Sequence, residues 1–143
     1  MKTYTEIQVR YGETDCMGVV YHPNYLPWFE LGRTDFLEKI GYPYKSLEDS
    51  GYMAPVIHAE LDYSNHFVYG DTAVVETTIV KLSPVRSSYA YRVFKKGEDP
   101  ETAKPSVTGL TQHCFVEKGT FKVVPTKKAM PEFHEALQKA LEA

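Results

Sequence analysis

Apolar and polar residues alternate from Tyr4 to Val9, the pattern of a half-buried strand. Arg10-Tyr11-Gly12 ends that strand, and residues 11–22 read as a loop. Leu26, Phe29, Arg33, Phe36, Leu37 and Ile40 then recur at helical spacing, with Trp28 flanking the stripe. Pro23 suits a first helical turn and Gly41 followed by Pro43 suits a stop, so the pattern predicts a long helix from Pro23 to Ile40. Gly32 inside that helix is unfavourable by ~1 kcal/mol relative to Ala. Its presence points to close approach of another backbone. Tyr44 to Ser50 predicts a short second helix, and Met53 to Tyr63 a strand broken early by Pro55.

Thr72 to Leu82 is rich in β-branched residues and is the clearest strand. Ser87 to Lys95 and Ser106 to Glu117 predict two more strands, and Thr120 to Val124 a short last one. Phe133, Leu137 and Leu141 recur at spacing four in a final helix from Pro131 to Leu141. A strand, one long helix and then strands without intervening helices describe an α+β fold. The reading is a single domain over residues 1–143, an antiparallel sheet of about five or six strands with the long helix on one face. A sheet edge left unpaired in such a fold invites a partner chain.

Composition narrows the function. Aromatic residues make up 13% of the chain, which suits strands and an aromatic-lined pocket. A net charge of -3 argues against general nucleic-acid binding. The charge is polarised: residues 1–76 carry five Lys/Arg against twelve Asp/Glu, and residues 77–143 eleven against seven. Lys81, Arg86, Arg92, Lys95 and Lys96 form one stretch without an acid, and Lys118 to Lys128 another. Cys16 and Cys114 make neither a disulfide framework nor a zinc motif. His58, His66, His113 and His134 have no ligand spacing, so no metal is expected. There is no Gly-x-Ser-x-Gly elbow and no Gly-rich phosphate loop. No stretch is long and apolar enough for a membrane helix, and no signal peptide opens the chain. A cytoplasmic protein is the expectation.

The chemistry concentrates between Arg10 and Tyr25. Asp15 is an acid beside a run, Cys16 to Phe29, that has no Asp, Glu, Lys or Arg. A carboxylate near a helix N-terminus faces a backbone able to stabilise negative charge. Asp15 followed by Met17-Gly18-Val19-Val20-Tyr21-His22-Pro23-Asn24-Tyr25 resembles the active-site segment of hotdog-fold acyl-CoA thioesterases of the 4-hydroxybenzoyl-CoA thioesterase type. The resemblance continues through Glu30 and Arg33 and, more loosely, over nearly the whole chain.

The resemblance implies a sheet curled round the central helix, an acyl-CoA substrate (or an acyl carrier protein thioester) and no cofactor. It further implies dimers joined edge to edge, often paired into tetramers, with active sites at the dimer interface. It places the catalytic carboxylate at Asp15, as general base or nucleophile, with His22 and Tyr11 assisting. Val20, Tyr21, Asn24, Trp28 and Met53 are the expected substrate contacts. Arg86, Lys95 and Lys122 are candidates for the CoA phosphates. Glu13 reads as a loop charge, and Glu30 with Arg33, three apart, as a structural ion pair. Two other readings stay open: a hotdog dehydratase pairing His22 with Glu30, and an acyl-binding module without turnover.

Overall fold

In the computed structural model, which describes all 143 residues, β1 (Lys2–Gln8) pairs antiparallel with β4 (Thr72–Leu82). β4 pairs with β5 (Arg86–Lys95), β5 with β6 (Val107–Cys114), and β6 with β3 (Val56–Tyr63). All four pairings are antiparallel, and the order across the sheet is β1-β4-β5-β6-β3. A separate two-stranded ribbon joins β2 (Tyr52–Met53) to β7 (Val116–Glu117). The long helix α1 (Tyr25–Lys39) lies on the sheet. Short helices α2 (Tyr44–Asp49) and α3 (Thr126–Ala129), with α4 (Pro131–Glu142), complete the chain. The α+β class expected from the pattern and the hotdog architecture implied by the resemblance are both present.

Several boundaries differ from the expectation. The first turn of the long helix, His22–Asn24, is a 3₁₀ turn, and α-helix begins at Tyr25. Pro55 divides the expected strand into β2 and β3, as a residue without an N–H does. Phe115 separates β6 from β7. Thr120 to Val124 is not a strand: only a single bridge, Val116 to Val123, forms there.

The buried stripe of α1 also differs. Tyr25, Trp28, Phe29, Gly32, Phe36 and Leu37 face inward, while Leu26 is exposed. Gly32 is why. A Cβ there would sit 2.6 Å from Thr77 Oγ1 and 3.0 Å from Val75 Cγ1 of β4. The helix can lie this close to the sheet only where it has no side chain, so Gly32 sits at the middle of the packed face. Phe29 is the next contact along. Its ring stacks on Tyr91 at 4.4 Å and covers Gly109 of β6, where a side chain would overlap it.

The sheet has two edges, and they are unequal. Every residue of β3 except Leu61 is exposed, including Val56, Ile57 and Tyr63. No helix of the chain is long and apolar enough to cross a membrane.

Candidate active site

The register sorts the candidate residues into two ends. At one end, Ala73 of β4 faces Lys95, and Val107 faces both Val93 and Tyr63. At the other, Cys114 faces Arg86, and His113 faces Ser87 and Val56. Residues 86 and 95 are nine strand steps apart, roughly 30 Å.

The Asp15 segment docks at the first end. A tight hairpin forms: Tyr21 N–H donates to the Glu13 carbonyl, Thr14 bridges Val20, and Asp15 N–H donates to the Val19 carbonyl at 2.9 Å. Gly18, with φ of +79°, makes the return, a conformation that favours glycine. Val20, buried, ties the hairpin to the sheet side by donating to the Phe67 carbonyl. Asp15 stands at the tip, partly exposed. Its Oδ1 accepts from the Met17 amide at 2.8 Å, and its Oδ2 carries no bond within the chain.

The hairpin leads at once into the helix start. There the Asn24 N–H is engaged by the Tyr21 carbonyl at 2.8 Å, and Pro23 has no N–H. No backbone carbonyl takes up the His22 N–H, so it is the donor left at this turn. The His22 side chain is exposed, packed edge-on against Tyr21 and Tyr63 with ring centres 4.8 and 6.4 Å away. Tyr63, on the exposed edge strand, donates its hydroxyl to the His22 carbonyl at 2.8 Å. Burial pushes the Tyr63 phenol up from its usual range, so it stays a donor. Tyr11 is 78% exposed and meets Tyr69 edge to face at 5.7 Å.

Glu13 is not a loop charge. It is 7% exposed, and its two carboxylate oxygens accept from the Arg10 amide and the Trp28 indole N–H, each at 2.8 Å. Its carbonyl accepts from the Asn24 side chain as well as from Tyr21. The Trp28 indole N–H and the Asn24 side-chain NH₂ are therefore spent inside the chain, holding the hairpin to α1. Trp28 is 1% exposed, edge-on to Tyr25 and Phe67. Sequence reasoning missed this anchor, because the partners lie fifteen residues apart and share no motif.

Glu30 and Arg33 do not pair. Glu30 is exposed, while Arg33 turns inward and donates to the Tyr91 hydroxyl at 3.2 Å. Of the cations considered for phosphates, Lys95 lies at the Asp15 end, with its ammonium 5.6 Å from the centre of the Phe67 ring. Arg86 and Lys122 sit at the far end, as does Met53, which pairs with Val116. One chain does not bring these residues together with Lys95. The principal cavities of the single chain leave out Asp15 and His22, so this end is an open surface beside an unpaired strand.

Comparison with known proteins identifies the family and the fold. Residues 9–141 match the family model described as the thioesterase-like superfamily. A protein of Bacillus subtilis (strain 168) named "Putative acyl-CoA thioesterase YneP" is 38% identical over 135 residues, covering 94% of each chain. A 1,4-dihydroxy-2-naphthoyl-CoA hydrolase of Rippkaea orientalis is 31% identical, over 93% of this chain and 94% of that one. The solved structure of a DHNA-CoA thioesterase from Staphylococcus aureus superposes with a TM-score of 0.89 at 36% identity, over 96% of this chain and 89% of the other. The chain belongs to the thioesterase-like superfamily and is a hotdog-fold thioester hydrolase.

Proposed function

We propose that the protein hydrolyses the thioester of an acyl-CoA, with Asp15 as the catalytic carboxylate. The observation that carries this reading is the placement of Asp15. Its loop amide orients one oxygen and leaves the other unengaged, two ladder positions from the turn that opens α1. An oxygen so held can take a proton from water or attack the thioester carbon directly. The developing oxyanion needs a donor, and the His22 N–H at the helix start is the one available. The His22 ring stands over the same turn, in place to protonate the departing thiolate or to hold water. Tyr11 and Tyr21, both exposed, line the approach, and Lys95 offers a cation for the CoA phosphates at the same end.

The site is completed by a second copy of the chain. β3 exposes an unpaired backbone edge with apolar side chains, the form of strand that pairs with a partner. Tyr63 stands at its end and touches His22, so a partner docked on β3 would wall the open side of the site. A homodimer is the working unit, and pairing of dimers into a tetramer is compatible with it. Within one chain Glu30 makes no bond to His22, and an assay for enoyl formation against thiol release separates the dehydratase reading from this one.

Asp15→Asn tests the assignment. The fold and the dimer should persist, by circular dichroism and light scattering, while thiol release from acyl-CoA drops at least a hundredfold. Unchanged turnover would end the proposal. A panel of acyl chain lengths and aryl groups, on CoA and on carrier protein, then identifies the substrate.

A further inference from the structure

A cavity lined mostly by apolar side chains, with a few basic and polar ones, lies at the far end of the sheet, away from Asp15. It measures about 20 Å³, room for a water-sized occupant, between the C-terminal half of α1, α2, α4 and the ends of β5 and β6. Its sixteen lining residues include Arg33, Arg86 and His113 and no Asp or Glu. Arg33 is the unusual member. It is partly buried, its only hydrogen bond goes to the neutral Tyr91 hydroxyl, and no carboxylate lies within salt-bridge distance.

The groups around Arg33 offer it no negative charge. Tyr91 passes its bond to Thr111 at 2.6 Å, Thr111 contacts His113 Nε2 at 2.9 Å, and His113 Nδ1 ends the chain on the Ala54 carbonyl at 3.0 Å. Burial, with the Arg33 charge adding to it, holds His113 down at about 4 and so neutral. Burial keeps the Tyr89 phenol protonated. A guanidinium has five N–H donors, and this one gives a single bond. Arg33 is only partly buried and its unpaired N–H groups are not sealed from the cavity, so they are free to receive a small anion there.

We propose that this cavity is a small-anion site, in which a halide or the carboxylate head of a short acid binds the Arg33 guanidinium. The cavity's size selects the occupant. A halide is nearest to the single water-sized space, while a carboxylate head needs side chains to give way and a phosphate needs a larger rearrangement. The planar fork of arginine suits either a single ion or a bidentate carboxylate. Arg86, exposed at the rim, adds positive potential at the entrance. Neither Asp15 nor His22 lines this cavity, so the site stands apart from the proposed catalytic end.

The test is bromide soaked into crystals of the full-length protein, located by its anomalous scattering. A peak within about 3.5 Å of the Arg33 guanidinium, inside the cavity, supports the proposal. Bromide bound at surface sites with none beside Arg33 overturns it. In solution, replacing gluconate by chloride at constant ionic strength should raise Tm by a few degrees and saturate. The same titration with sodium formate distinguishes a carboxylate site from a halide-selective one, since only the former saturates with formate. Arg33→Met should abolish the saturable shift with either anion. Retention of that shift in Arg33→Met would overturn the assignment, whatever the stability of the variant itself.

Discussion

Replacing Glu13 by Gln probes the anchor beneath the candidate site. The carboxylate receives two N–H donors, from Arg10 and from Trp28, one on each oxygen. An amide offers one acceptor and one NH₂, so one of the two donors must face another donor. The lost bond is to a charged acceptor and is worth ~1.5–3 kcal/mol, and the orphaned buried N–H adds about 1 kcal/mol. A total near 3 kcal/mol corresponds to a fall of roughly 10 °C in Tm for a chain of this length. Trp28→Phe removes one donor and should itself destabilise. In the double variant the amide can serve the Arg10 amide alone. The two effects should then fall short of additive by 1 kcal/mol or more, measured by denaturant unfolding. A Glu13→Gln Tm within 2 °C of the parent, or strict additivity, would refute the claim that this carboxylate pins the hairpin to α1.

Two further outcomes are specific. His113 titrates at about 4 when folded against 6.5 in the reference state, so the folded chain favours its neutral form. Its contribution is complete above pH 6.5 and is lost as pH falls towards 4, by roughly 3 kcal/mol at 1.36 kcal/mol per pH unit. Urea unfolding between pH 7 and 4.5 should show this loss, and a His113→Gln variant should flatten it; parallel curves would contradict the burial argument. Tyr63→Phe removes the hydroxyl bonded to the His22 carbonyl. It should lower kcat several-fold at little change in Tm, since the residue is 48% exposed. An unaltered kcat would show that the turn holds its geometry without that bond.

The parts of the structure that were legible in the sequence are those fixed by local chemistry. The β-branched run from Thr72 to Leu82 forms β4 with its predicted bounds, because side-chain branching acts residue by residue. Gly32 marked a close approach, but what lies against it are the side chains of Thr77 and Val75 on β4, not a backbone. What failed depended on partners the sequence does not align. The three-residue spacing of Glu30 and Arg33 favours a pair worth only ~0.2–0.5 kcal/mol. Arg33 instead turns to a buried tyrosine hydroxyl on β5. Glu13 sits two residues from Asp15 in an apparently polar loop, yet its role is set by an indole one helix turn inside α1. The helical spacing put Leu26 in the stripe and Trp28 on its flank, and contact with the sheet decides for Trp28.

The geometry of β5 explains how two charged centres coexist in so small a domain. Its ends are roughly 30 Å apart. Between them the interior is closed by Phe29 stacked on Tyr91, with Gly109 behind the ring and Gly32 letting the helix settle. The Asp15 carboxylate sits at the tip of the hairpin before α1 and the Arg33 guanidinium lies within α1, and the two make no ion pair. Separation keeps them independent, since a low-dielectric interior does not screen charge. Were they adjacent, an ion pair would occupy the Asp15 oxygen that the proposed hydrolysis uses.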